Sequence, residues 1–202
     1  MSKNWTGNSK SVYTTLGASN HVVEEREIND YYATHPKAAK LLLEIESLSQ
    51  NILEPSVGEG HLADVLKNAG KNVTSWDIID RGYPDTQVKD FLKINDYIFE
   101  GDIVMNPPYK SAKSFIEKAL DIIPEGNYVF AFLKVQFMES KGRKQFFLDN
   151  PPKTVWVSST RIPCAKNGDF EGLKKTGGSA ISYCWYVWEK GFKGETTLKW
   201  FN

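Results

Sequence analysis

Asn51-Ile52-Leu53-Glu54-Pro55-Ser56-Val57-Gly58-Glu59-Gly60-His61-Leu62 opens the segment that decides the fold. The short apolar run from Asn51 to Glu54 reads as a buried strand. It stops at Pro55, which has no N–H to give to a sheet. Gly58 and Gly60 then mark a turn where the backbone can approach a ligand closely. From Gly58 to Ala69, Leu62, Val65 and Leu66 share one helical face, and Gly70 closes that helix. A second strand follows at Val73 to Ile79. Strand, glycine turn, helix and strand in that order make a βαβ unit with parallel pairing.

The alternation continues on both sides. Upstream, Pro36 opens a helical stretch with Ala38, Ala39, Leu41, Leu42, Leu43 and Ile45 apolar. Downstream, strands are expected at Val88 to Phe91, Gly101 to Met105 and Tyr128 to Val135, with helices at Ser111 to Ile123 and Ser140 to Leu148. Thr154 to Ser159 and Ile181 to Glu189 are the last two strands, with no obvious helix between them. The expected fold is α/β: a mostly parallel seven-stranded sheet with helices on both faces and an antiparallel C-terminal pair joined by a long loop, 160–180. Trp156, Trp185 and Trp188 alternate in the terminal strands and are expected to pack in the core, as is Cys184.

The chain has 202 residues, 41% of them hydrophobic, enough for one domain with a substantial core. A single domain over 21–202 is expected, after a polar tail at 1–20 that is expected to be flexible and has no apolar signal region. No run of 18 apolar residues is present, so no membrane helix is expected. Cys164 and Cys184 make neither a metal-ligand spacing nor a disulfide framework. A reduced, cytoplasmic protein without a metal is the simple reading. The net charge is zero, which argues mildly against a large non-specific nucleic-acid footprint. Its distribution is uneven. Residues 21–70 hold nine acids and four bases, and residues 134–175 hold nine bases and four acids. The basic half, with Arg161, Lys166, Lys174 and Lys175 on the long loop, is expected to border a nucleic-acid strand. Lys110 joins that set.

The glycine turn carries no third glycine, since Ala63 occupies that position, and no Lys-Ser/Thr pair for phosphates. Glu54 precedes it instead, and a carboxylate suits a cationic or amine-bearing cofactor. Asp77 ends the second strand near the spacing at which an acid reaches ribose hydroxyls, with Asp80 as a competitor. Asp90 and Phe91 could hold an adenine by its amine and its face. The strand ending at Met105 stops on Asn106-Pro107-Pro108-Tyr109. Its two prolines make the loop rigid and fix an amide beside an aromatic ring. Such a pair suits a planar substrate that carries an NH₂ group.

With these residues in order, the chain resembles the S-adenosylmethionine-dependent amino-methyltransferases, above all the DNA adenine-N6 methyltransferases. Tyr32-Ala33-Thr34-His35-Pro36 resembles their N-terminal motif, although His35 separates the Thr from the Pro. Glu54 to Gly60 resembles the cofactor loop, Asp77 and Asp90-Phe91 the nucleoside contacts, and Asn106 to Tyr109 the catalytic motif. The motif order is that of the gamma group, and Trp188 to Gly194 is similar to the closing segment of small phage-borne methylases. The resemblance covers Tyr31 to Trp188 and implies a Rossmann-like fold and S-adenosylmethionine as cofactor. It implies cofactor contacts from Tyr32, Thr34, Glu54, Ser56, Gly58, Gly60, His61, Asp77, Asp90 and Phe91. Asn106 and the Pro107 carbonyl would accept the N–H groups of a flipped-out adenine, Pro108 would stiffen the loop, and Tyr109 would stack on the base. DNA would be the substrate, with RNA as an alternative. Gamma enzymes usually carry a recognition domain that the residues after Tyr109 do not provide. Selectivity would then come from short loops, a homodimer or a specificity partner. Methylation of a protein glutamine, of an RNA base amine or of cytosine N4, and a non-catalytic binding module, are the competing readings.

Overall fold

The computed structural model describes residues 31–175 and 179–202. The tail expected at 1–20 lies outside the described residues. The chain forms β1 (Tyr32–Thr34), α1 (Lys37–Ile45), β2 (Asn51–Glu54), α2 (His61–Asn68), β3 (Asn72–Asp77), β4 (Gln87–Val88), β5 (Asp102–Met105), α3 (Ala112–Ile122) and β6 (Tyr128–Lys134). It continues with α4 (Lys144–Asp149), β7 (Thr154–Ser158), β8 (Cys164–Lys166), α5 (Phe170–Lys175), β9 (Tyr183–Glu189) and β10 (Thr197–Phe201).

One sheet has eight strands in the order β10-β7-β9-β6-β5-β2-β3-β4. All pairs are parallel except those of β9, which runs antiparallel to both β6 and β7. All seven expected strands are present, including the antiparallel C-terminal pair. An eighth, β10, pairs with β7 at the edge. Its Leu198 and Trp200 are exposed, so its sequence shows little of the burial signal that marks a strand.

Strand alternation divides the core into two layers. Val129, Ala131 and Leu133 of β6 join Cys184, Tyr186 and Trp188 of β9 on one face, where α3 packs Phe115, Ile116 and Ala119. Phe130 and Phe132 join Trp185 and Val187 on the other, under Ala38, Ala39 and Leu42 of α1 and Leu62 and Leu66 of α2. Two of the buried indoles are satisfied: Trp185 donates to the Ala38 carbonyl and Trp188 to the Asn150 carbonyl, both at 3.0 Å, whereas the Nε1 of buried Trp76 has no partner. Trp156 is only partly buried and donates to Glu46 at 2.6 Å.

Several expected boundaries move. The helix expected from Gly58 starts at His61, because Gly58 and Gly60 have φ of 58° and 83° and cannot be helical. The strand expected at Val88 to Phe91 ends at Val88. There Asp90 accepts the Leu92 N–H at 3.2 Å and caps a 3-10 turn, Phe91–Lys93. The helix expected at Ser140 to Leu148 is a 3-10 turn, Lys141–Arg143, followed by α4. The long loop 160–180 is not structureless. It holds β8, which pairs with β1 as a separate two-stranded antiparallel sheet, and the short α5.

Candidate active site

Three parallel strands end together, β2 at Glu54, β3 at Asp77 and β5 at Met105, and the loops beyond them bound a cavity of about 360 Å³. This is the crevice beyond the carboxyl ends of the strands, where open α/β sheets bind ligands. Of the expected residues, Tyr32, Thr34, Glu54, Ser56, His61, Asp77, Asp90, Phe91, Asn106, Pro107, Pro108, Tyr109 and Lys110 all line it. Gly58 and Gly60 lie behind its wall. A Cβ on Gly58 would come 2.3 Å from the Tyr31 ring, and one on Gly60 2.0 Å from the Tyr83 ring. The loop therefore needs glycine for its backbone angles and for the two aromatic rings laid against it.

Asp77 holds that loop in place. Its Oδ2 accepts the Gly58 N–H at 2.8 Å and its Oδ1 the Ile79 N–H at 3.1 Å, and the residue is 7% exposed. Asp80, the competing candidate, is exposed and accepts the Gly82 N–H in its own turn. Phe91 is buried against Trp76 and Phe115, so its ring forms the cavity's back wall. The exposed apolar side chains at the cavity are Ile78 and Leu92, which the sequence reading missed. Ile78 directly follows the strand-ending Asp77, which was the available signal, whereas nothing local marked Leu92. Arg81, Lys89 and Ser111 are further lining residues not expected from the sequence.

Glu54 is 2% exposed and its Oε2 has no hydrogen-bond partner. Burial, and then the charge of Asp77, hold its carboxyl well above the usual carboxylate range. Folded chains therefore keep this proton over a pH window in which unfolded chains have lost it. The unfolded state binds fewer protons there, so stability falls as pH rises through the window. Glu54→Gln is expected to be more stable than the wild type above the ordinary Glu range. The difference in melting temperature should grow as pH rises across that range, beginning near the ordinary Glu value of 4.5. A constant difference across that range would contradict the assignment.

Asn106 is fixed from an unexpected side. Its Nδ2 donates to the Tyr32 carbonyl at 2.7 Å and lies 3.8 Å from Cys164 Sγ. A carbonyl can only accept, so this contact sets which end of the amide is which. The Asn106 Oδ1 is left buried without a partner. Its backbone carbonyl accepts the Ser56 hydroxyl at 3.3 Å. The N-terminal segment thus orients the catalytic candidate through β1, while Thr34 is buried in the same strand and lies 3.9 Å from Cys164. Burial pushes the Cys164 thiol up to about 11, so it stays protonated among these groups. Tyr109 shares a 2.9 Å hydroxyl contact with Tyr183, and burial raises its pKa. The Lys134 ammonium lies 4.3 Å from the Tyr109 ring centre, and the Tyr32 ring is 5.7 Å away, tilted by 34°. A base that stacks on Tyr109 must take the place of one of these.

Arg161 and Lys174 lie outside this cavity and line a second one, while Lys166 and Lys175 are exposed and line neither. Among the described residues, no group of three or more His, Cys, Asp and Glu side chains is placed to hold a metal ion. No helix among them is long and apolar enough to cross a membrane.

No family model and no curated protein matches the sequence. Solved structures do match. A protein of Listeria monocytogenes named as a class I S-adenosylmethionine-dependent methyltransferase superposes with a TM-score of 0.57 at 14% identity, over 92% of this chain and 69% of that one. One from Pyrococcus horikoshii named as an RNA methyltransferase gives 0.55 at 14% identity, over 77% and 82%. The modification subunit of a type I restriction enzyme from Vibrio vulnificus gives 0.54 at 12% identity, over 84% of this chain and 46% of that one. At such identities the likeness concerns architecture, and the architecture is the Rossmann-like fold of the class I S-adenosylmethionine-dependent methyltransferases.

Proposed function

We propose that this protein is an S-adenosylmethionine-dependent methyltransferase acting on the exocyclic N6 amine of adenine in DNA, with the base flipped into the site. The single observation that carries the reading is the buried Asn106 Oδ1, left without a partner at the first cavity while Nδ2 is held by Tyr32. An unpaired buried acceptor beside a ligand cavity is unfavourable unless a donor arrives. An amine nitrogen supplies that donor.

The residues fit the cofactor. Glu54 Oε2 is a buried acceptor without a partner at a strand end, and burial, then the charge of Asp77, raise its pKa. S-adenosylmethionine would supply an electrophilic methyl group, with positive charge at its sulfonium and amino group. Glu54, Asp77 and Asp90 would hold it through charge and hydrogen bonds, with Tyr32, Thr34, Ser56 and His61 around it and Ile78, Leu92 and Phe91 as the apolar walls. Gly58 and Gly60 would give the loop its close approach. The solved structures of this fold include proteins named as acting with that cofactor.

An adenine amine is a weak nucleophile because its lone pair is shared with the ring. Asn106 Oδ1 and the Pro107 carbonyl would each accept one N–H, drawing the nitrogen toward tetrahedral geometry and localising the pair. Pro107 and Pro108 would keep these acceptors from relaxing. Positioning and electrostatics then provide most of the acceleration. Tyr109 would stack on the base once the Lys134 ammonium moves aside. Neighbours of this fold named as an RNA methyltransferase and a restriction-enzyme modification subunit support a nucleic-acid substrate. Lys110, Arg161, Lys166, Lys174 and Lys175 would meet its phosphates. The proposal covers one catalytic domain over 21–202, working in the cytoplasm alone, as a homodimer or with a specificity partner.

The test is labelled methyl transfer from S-adenosylmethionine to unmethylated DNA, RNA and protein extracts. Label in DNA is the expected result. Label in protein alone would replace the reading with amide methylation of a glutamine side chain.

A further inference from the structure

A second cavity, of about 390 Å³, is lined by residues that adjoin the lining of the first. Adjacent residues separate the two: Thr34 lines the first cavity and His35 the second. Side chains of the two linings also touch each other. His61 lines the first cavity, and its ring meets that of Phe170, a lining residue of the second, at 5.5 Å. Phe170 also meets the His35 ring edge-on at 5.1 Å.

The lining is divided by chemistry. Ile162, Phe170 and Leu173 make an apolar floor, and Ile162 is 2% exposed. Lys37, Arg161 and Lys174 are exposed at the rim, beside the acid Glu171. Arg161 is braced by a 2.8 Å bond to the Ser179 carbonyl. His35 accepts the Lys37 N–H on Nδ1 at 3.1 Å, and its imidazole is held below its ordinary value by burial first, then by Lys37, His61 and Lys40. The region is therefore electropositive over an apolar base.

We propose that this cavity takes the nucleotide next to the target base on the same strand. Its phosphate would lie among Lys37, Arg161 and Lys174, and its base and sugar would lie on Phe170, Ile162 and Leu173. The assignment rests on the reading of the chain as a base-amine methyltransferase, and it names where that enzyme would take up flanking sequence. An acidic peptide would satisfy the rim and leave the apolar floor open. A nucleotide satisfies both, and the volume is that of a small-molecule site.

The test measures binding of a single-stranded DNA oligonucleotide with one central adenine, over a salt series. It compares the wild type with Lys37→Gln/Lys174→Gln and with Phe170→Ala. The double lysine variant should lower the salt slope by about 0.7 for each phosphate it no longer neutralises, with cofactor affinity unchanged. Phe170→Ala should weaken binding roughly 5- to 150-fold, the effect of removing one base stack, and flatten any preference for the base beside the adenine. An unchanged slope in the lysine variant together with unchanged affinity in Phe170→Ala would overturn the proposal, even if the wild type methylates DNA. A polyglutamate peptide that competes as well as the oligonucleotide would also overturn it. Cofactor binding without methyl transfer to DNA or RNA would sink the base-amine reading itself.

Discussion

Asn106→Ala should lower methyl transfer by at least about 100-fold while the protein still binds S-adenosylmethionine. The magnitude follows from removing one preorganised hydrogen-bonding group at a reacting centre. The side chain has two jobs that the structure separates. Oδ1 is the unpaired acceptor, and Nδ2 holds the Tyr32 carbonyl at 2.7 Å. Alanine removes both, so a stability loss of about 1 kcal/mol from the lost hydrogen bond to the Tyr32 carbonyl should accompany the loss of activity. Asn106→Asp tests the same point differently. It keeps an oxygen where the amine would bind but sets another against the Tyr32 carbonyl, where two acceptors repel. This variant too should be inactive, and β1 should be its weakest element. Turnover, melting temperature and cofactor affinity measured on both variants separate the chemical loss from the structural one. Activity near wild type in either would remove Asn106 from the proposed mechanism.

Asp77→Asn should lower stability by about 1–3 kcal/mol and weaken cofactor binding on the order of 10-fold. The substitution is nearly isosteric, so the effect comes from hydrogen bonding alone. Asp77 accepts from Gly58 N–H on one oxygen and from Ile79 N–H on the other. An asparagine has one acceptor oxygen, and whichever way it turns its NH₂ faces a backbone N–H. The released Gly58 belongs to the loop against which Tyr31 and Tyr83 pack, with Tyr31 accepting the Glu59 N–H at 3.2 Å. Loosening that loop should therefore blur the cavity wall. Asp80→Asn is the control. Its carboxylate is exposed and caps a local turn, so it should change little. Chemical denaturation and calorimetric titration check both variants. Equal behaviour of the two would contradict the clamp.

Periodicity placed most of the sheet because its parallel strands are buried on both sides and read as continuous apolar runs. The strand-ending residues were legible for a related reason. Prolines follow the strands that end at Glu54 and Met105, and ligand contacts follow from where strands stop. What was not legible depends on pairing between distant segments. β1 meets β8 through Tyr32–Lys166 and Thr34–Cys164, a contact with no local pattern in strands only three residues long. That pairing brings Cys164 and the Tyr32 carbonyl to Asn106. The α5 helix contains Gly172 and spans only six residues, too weak a helical signal to separate from loop. β10 lies at an edge with Leu198 and Trp200 outward and only Phe201 buried. The clamp role of Asp77 likewise needed the fold, since its sequence position suggested only a ligand contact.

The central claim is that the methyl group goes to an amine nitrogen held at Asn106. Its most direct test is identification of the methylated atom by mass spectrometry of nucleosides, after reaction of an unmethylated DNA oligonucleotide with isotopically labelled S-adenosylmethionine. The account predicts labelled N6-methyladenosine, as the deoxynucleoside, from the wild type and none from Asn106→Ala with its cofactor affinity retained. Label on a ring carbon, a ring nitrogen or an oxygen, or equal yield from Asn106→Ala, would contradict it.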